Sequence, residues 1–196
     1  MRGNATWMRD DLIGLFRSSG AVKTGGSFKL ASGGFSDFYI DCKSVLMRSH
    51  ALKLASRLAW AAVDADIGVS TWPSLPGIAG KAEGVNSLVG AMLVQLSNDM
   101  PYEETPGLIL RPGEKQHGLG GGFICGIDQR KLEWVVVEDV TTSGKSAMEV
   151  VDALAAKGQK TAMVLSIVDR MEGAAERFLE AGIPFASVLN RKHFVP

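Results

Sequence analysis

The sequence predicts an α/β fold: one domain, spanning 1–196, in which a mainly parallel central sheet is flanked by helices. Three observations carry that expectation. From residue 45 onward, short apolar runs alternate with segments of helical period, the pattern of strands joined by crossover helices. The run Val135-Val136-Val137 is continuously apolar rather than alternating, as in a strand buried on both faces. A chain of 196 residues that is 46% hydrophobic is also large enough to close one sizeable core.

Residues 6–19 place Met8, Leu12, Leu15 and Phe16 at helical spacing, and Gly20 stands where a C-terminal glycine ends a helix. Residues 27–30 and 37–41 read as two short strands around Ala31-Ser32-Gly33-Gly34-Phe35-Ser36, a connection suited to a hairpin. Residues 1–44 thus form a small N-terminal helix and hairpin appended to the main body. Leu52, Ala55, Leu58, Ala59 and Ala62 give residues 45–63 one apolar face, and 66–70 follow as a short strand. Residues 71–86 hold Pro73, Pro76, Gly77, Gly80 and Gly84 and are expected to be loop, with a buried helix over 87–96. A strand over 107–111 leads into 112–122, where five glycines and little to pack predict a mobile loop. Beyond it come a strand at 135–137, a helix at 147–157 ended by Gly158, a strand at 161–168, and a helix at 173–181 before Gly182.

Twenty-one Lys and Arg balance 21 Asp and Glu, so no global field advertises a nucleic-acid or anionic-membrane partner, and any anion site must be local. Cys42 and Cys125 have no metal-like spacing and fit a reducing compartment. No apolar run approaches the roughly 20 residues that cross a bilayer. The start, Met1-Arg2-Gly3-Asn4-Ala5-Thr6-Trp7, lacks the apolar core of a secretory signal. A soluble, cytoplasmic protein is expected. His50, on a polar helix face, and His193, in the tail, are expected to be solvated.

The chemistry concentrates where Val135-Val136-Val137 gives way to Glu138-Asp139 and then to Thr141-Thr142-Ser143-Gly144-Lys145-Ser146. Ligands on parallel sheets collect at the carboxyl ends of strands. Hydroxyls, a glycine that permits close approach, and the N–H groups opening the next helix suit a phosphate. Two adjacent carboxylates would repel that anion unless they address another part of the ligand, such as vicinal hydroxyls or Mg²⁺. A sugar phosphate satisfies both demands. A nucleotide-triphosphate P-loop would need glycine where Asp139 stands, and Gly118-Leu119-Gly120-Gly121-Gly122 lacks the following helix of a dinucleotide fingerprint. A plain helix-capping turn explains the Thr and Ser but not two carboxylates at a strand end.

This segment resembles the phosphoribosyl-pyrophosphate (PRPP) motif of the type I phosphoribosyltransferases. Three further segments are similar to the orotate branch of that family: 30–41, with Ser32-Gly33, Ser36, Tyr39 and Asp41; Arg111-Pro112-Gly113-Glu114-Lys115-Gln116-His117-Gly118; and Asp169-Arg170-Met171-Glu172-Gly173. The resemblance runs from about residue 28 to 189. It implies a type I phosphoribosyltransferase-like fold with a hood-like N-terminal appendage contributing to the base pocket. It also implies transfer of ribose 5-phosphate from PRPP to orotate, giving orotidine 5′-monophosphate and pyrophosphate in pyrimidine (UMP) biosynthesis.

The roles it implies are these. Glu138 and Asp139 hold the ribose hydroxyls, while Thr141, Thr142, Ser143, Gly144, Lys145 and Ser146 hold the 5′-phosphate. Arg111, Lys115 and His117 close over the pyrophosphate, in a homodimer whose catalytic loop serves the neighbouring subunit. Arg170 faces the orotate carboxylate, with Thr142, Tyr39 and Ile40 completing the base pocket. Mg²⁺ is bound mainly through PRPP, with no metal site built from protein residues. Residues alone leave other readings of the parts: a solvated surface loop for 112–122, and a strand-end salt bridge with Asp169 or Glu172 for Arg170. A transferase for another nucleobase and a non-catalytic PRPP sensor are the alternatives for the whole. The chain departs from the family pattern at Pro112, where many members carry lysine, and at Ala31, where lysine is again frequent; Lys29 lies two residues earlier on the same strand face.

Overall fold

The structure, a computed structural model, describes residues 2–29, 34–68, 75–99, 104–111, 122–123 and 132–195. The opening helix, α1 (Arg2–Ser18), buries Met8, Leu12 and Phe16, and the chain leaves it through Gly20 at φ 71°. Strands β1 (Val22–Lys29) and β2 (Phe35–Ile40) form an antiparallel pair in which Val22 faces Ile40. β1 starts at Val22 rather than at residue 27, because a register shift between Thr24 and Phe28 lets the Gly25-Gly26 pair bulge out without ending the strand.

The helix expected over 45–63 is two helices, α2 (Cys42–Leu46) and α3 (Ser49–Ile67), with a break at Met47 and Arg48. Asp41 caps α2 by accepting the Ser44 N–H at 3.1 Å. The strand expected at 66–70 is corrected at its start: Asp66 and Ile67 are helical, since the apolar face of α3 continues through Val63 to Ile67, which packs on the core. Gly68 then ends the helix at φ 63°, its N–H returning to the Asp64 carbonyl at 2.9 Å. Residues 69 and 70 lie outside the described residues.

Among the described residues the main sheet has five parallel strands, β3 (Gly77–Lys81), β4 (Gly107–Leu110), β5 (Glu133–Thr141), β6 (Lys160–Asp169) and β7 (Phe185–Asn190), in the order β4-β3-β5-β6-β7. Helices α4 (Asn86–Asp99), α5 (Lys145–Ala155) and α6 (Ala174–Glu180) make the connections, and a 3-10 turn, Arg191–His193, follows β7. β3 overturns the expectation of loop across 71–86. Its composition disguised it, and packing explains the composition: a Cβ on Gly77 would lie 2.4 Å from the buried Trp134 ring on β5. β7, which no sequence reading singled out, pairs with β6 from Val164↔Phe185 to Asp169↔Asn190.

Both faces of the sheet are covered. Val135, Val137, Met163 and Leu165 pack with residues of α1, α3 and α4, whereas Trp134, Val136 and Val164 pack with Ala147, Val150, Leu154 and Phe178 of α5 and α6. Full burial of each such Val, Leu, Met or Phe side chain stabilises the fold by about 1.5–3 kcal/mol. No helix among the described residues is long and apolar enough to cross a membrane. Pairings Lys81↔Leu110, Gly80↔Val137, Thr141↔Asp169 and Asp169↔Asn190 bring the carboxyl ends of all five strands to one edge.

Candidate active site at the carboxyl edge of the sheet

β5 does not stop at Val137. Paired with the long β6 as far as Thr141↔Asp169, it carries Glu138 and Asp139 as strand residues. Glu138 is only 7% exposed. Burial pushes its carboxyl up to about 8, and the neighbouring Asp139 charge adds to this while Lys81 opposes it. Lys81, at the end of β3, donates to Glu149 of α5 at 2.5 Å. Burial also raises Asp139, against hydrogen bonds from the Val140 N–H and its own N–H and against the Lys43 charge.

Past Asp139 the chain turns. Thr141 is buried, and its Oγ1 has no hydrogen-bond partner among the described residues. Gly144 takes φ 74° as the N-cap of α5 and packs so closely that a Cβ there would lie 2.7 Å from Phe178. No side chain caps α5, so its first-turn N–H groups face the turn unmet by a capping oxygen, a ready anion site. Arg177 of α6 donates from Nε to the Ser143 carbonyl at 2.5 Å and braces the turn from outside. Thr142 and Ser143 are half-buried; Lys145 and Ser146 are exposed.

On the adjacent strand end Arg170 is 5% exposed, and its N–H donates to the Thr141 carbonyl at 2.9 Å. Its Nη2 donates to the Phe38 carbonyl of the hairpin at 2.6 Å and to Glu172 Oε1 at 3.1 Å. The Glu172 salt bridge allowed by the sequence therefore exists. It engages Nη2, while the buried Nε meets no partner among the described residues. Tyr39 is partly exposed on β2 and Ile40 is buried. The hairpin thus stands directly beside Arg170.

Arg111 follows β4 and donates its N–H to the Gly122 carbonyl at 2.6 Å. Since β3 lies between β4 and β5, Arg111 is at the same edge as Glu138, one strand removed. Lys115 and His117, with Pro112, Ala31 and Cys125, lie outside the described residues, and so does the side chain of Lys29. His50 is exposed and pairs with Asp11 at 2.8 Å. His193 is half-buried rather than solvated, closing a capping box with Asn190. Cys42 is buried with its thiol pushed well up by that burial, which leaves no reactive thiolate.

Sequence reasoning missed Lys43, the Phe38 carbonyl and Arg177. None has a local signature. Lys43 reaches the field of Asp139 only because α2 packs against β5, and Arg177 meets Ser143 only because α6 lies alongside the turn. Among the described residues no group of three His, Cys, Asp or Glu side chains could hold a metal ion. Two neighbouring carboxylates suit Mg²⁺ that takes its other oxygens from phosphates and water.

No family model matches the chain. The orotate phosphoribosyltransferase of Rhodopseudomonas palustris (strain BisB5) is 34% identical over 173 residues, which is 87% of this chain and 88% of that protein. The crystal structure of orotate phosphoribosyltransferase from Aeropyrum pernix is similar with a TM-score of 0.73 at 29% identity, covering 92% of this chain and 94% of that one. The Mycobacterium tuberculosis orotate phosphoribosyltransferase structure also gives 0.73, at 26% identity, over 96% of this chain and 99% of that one.

Proposed function

The chain belongs to the orotate phosphoribosyltransferase family, and from that premise we propose that it transfers ribose 5-phosphate from PRPP to N1 of orotate, releasing pyrophosphate and orotidine 5′-monophosphate. The observation that carries the reading is the meeting of three unlike groups at one sheet edge: an adjacent carboxyl pair with Glu138 buried and Asp139 half-buried, an uncapped phosphate-type turn, and the guanidinium of Arg170.

Each group answers one demand of the reaction. C1 of the ribose turns cation-like as pyrophosphate leaves, so negative and hydroxyl-binding groups belong beside the sugar and positive groups beside the leaving group. Glu138 and Asp139 accept hydrogen bonds from the ribose hydroxyls. Thr141, Thr142, Ser143, Gly144, Lys145 and Ser146 hold the 5′-phosphate, largely through N–H groups at the start of α5. Arg111, Lys115 and His117 neutralise the departing pyrophosphate. Arg170 turns its remaining donors toward the orotate carboxylate, with Thr142, Tyr39 and Ile40 around the base. Mg²⁺ would be held chiefly through PRPP, with Glu138 and Asp139 as the carboxylates available to it, and when bound would supply positive charge to the leaving pyrophosphate.

The reading places the chain in one domain whose residues 1–44 contribute to the base pocket. It also makes the protein a cytoplasmic homodimer with the catalytic loop of one subunit serving the other. The test is consumption of orotate by the purified protein with PRPP and Mg²⁺, beside uracil, hypoxanthine and adenine. Orotate alone should be consumed, with pyrophosphate formed in equal amount. Turnover of another base with orotate ignored would overturn the assignment.

A further inference from the structure

The C-terminal segment reaches the base side of this site by a route none of the motifs above includes. Arg191, the first residue after β7, donates from Nη2 to Asp37 of the hairpin at 2.7 Å. Its Nη1 lies 4.0 Å from Glu172 Oε1. That same oxygen accepts from Arg170 Nη2 at 3.1 Å and from Ser36 Oγ at 3.1 Å. Glu172 is therefore a hub joining hairpin, Arg170 and C-terminal segment. Phe38 completes the arrangement: Arg170 and Arg191 both lie over its ring, at 5.8 and 5.6 Å from the centroid, and its carbonyl holds Arg170.

The segment bearing Arg191 is itself fixed. Asn190 and His193 cap each other's backbone, Arg17 of α1 donates to the His193 carbonyl at 2.8 Å, and Phe194 is buried between Phe16 and Phe38. The Asp37 carboxylate is mostly exposed, so its pair with Arg191 contributes little to overall stability. Its use is geometric. A guanidinium that recognises a carboxylate must be held in one plane, and the groups holding Arg170 are Phe38 and Glu172.

We infer that Arg191 is a positioning residue for base recognition: it ties the hairpin down through Asp37 and braces Glu172, which orients Arg170 toward the carboxylate of the base. This rests on the transfer reaction proposed above. Removal of Arg191 frees the hairpin and Glu172 while leaving the phosphate turn of β5 and α5 untouched, so its effect falls on one substrate.

The experiment is steady-state kinetics of the whole protein with Arg191→Met and Arg191→Lys. R191M should raise KM for orotate about tenfold with KM for PRPP and the melting temperature unchanged, and R191K should recover much of the loss. Asp37→Ala cuts the same link at an exposed residue, should give the same split, and decides the matter if R191M is recovered misfolded. An unchanged KM for orotate, or equal losses for both substrates with a lowered melting temperature, would overturn the inference while wild-type turnover of orotate left the reaction standing. A wild-type protein inactive on orotate would instead remove the reaction, and the inference with it.

Discussion

Glu138 enters the fold as a carboxylic acid that neutral pH would otherwise ionise. Its carboxyl sits at about 8 in the folded chain against 4.5 for the unperturbed group, because burial and Asp139 both penalise the charge. The folded state thus holds this proton more tightly than the unfolded one. Its stabilising contribution is complete below about pH 4.5 and is lost as pH rises through 8, a change on the order of 5 kcal/mol. Glu138→Gln cannot ionise. The ligand-free variant should melt with wild type near pH 5 and above it at pH 8.5; a melting difference equal at both pH values would contradict the assignment. A carboxylate is also the better acceptor for ribose hydroxyls. Wild-type affinity for ribose 5-phosphate should accordingly climb as pH rises from 7 to 9, and E138Q should flatten that climb in a calorimetric titration.

At the scale of elements, the junction of β5 and α5 depends on Gly144. Its φ of 74° and the 2.7 Å separation of a built Cβ from Phe178 both resist a side chain. Gly158, at φ 69° with nothing within 4 Å, isolates the first effect. Gly158→Ala should destabilise by about 1 kcal/mol and Gly144→Ala by more, about 2–3 kcal/mol, in urea unfolding. G144A alone should weaken ribose 5-phosphate binding; wild-type affinity in G144A would separate the turn from the phosphate. This junction was the most legible part of the sequence, since an apolar run, two carboxylates and a small-residue turn each state their physics locally. β3 was illegible because Gly77 and Gly80 make room for the Trp134 ring and the Val137 carbonyl of β5, which only the sheet brings near. Residues 66 and 67 misled because Asp-Ile before Gly68 reads equally well as the start of a strand and the end of a helix. The same limit hid Lys43 and Arg177, whose partners are distant in sequence, whereas Arg170 could be placed from the strand that ends beside it.

At the scale of the whole molecule, the reading divides the reaction between subunits. Arg111 stands at the sheet edge, and the loop that carries Lys115 and His117 begins with the next residue. If that loop serves the neighbouring subunit, Lys115→Ala and Asp139→Asn, each inactive alone, complement one another. Co-expression then makes half of the dimers mixed, each with one intact site, and about a quarter of wild-type turnover should return. Co-expressed chains that stay as inactive as either variant would assign the loop to its own subunit.

The central claim is that one sheet edge holds a ribose phosphate and a carboxylated base together, with Arg170 reading the carboxylate. Uracil differs from orotate by that carboxylate, so the ratio of kcat/KM for the two bases tests the claim most directly, in wild type and in Arg170→Met. Wild type should strongly favour orotate. R170M should lose about a hundredfold or more of that preference, with uracil as the internal control for any loosening of the hairpin. A wild-type enzyme that uses uracil as readily as orotate, or an R170M variant that keeps the wild-type ratio, would contradict the account.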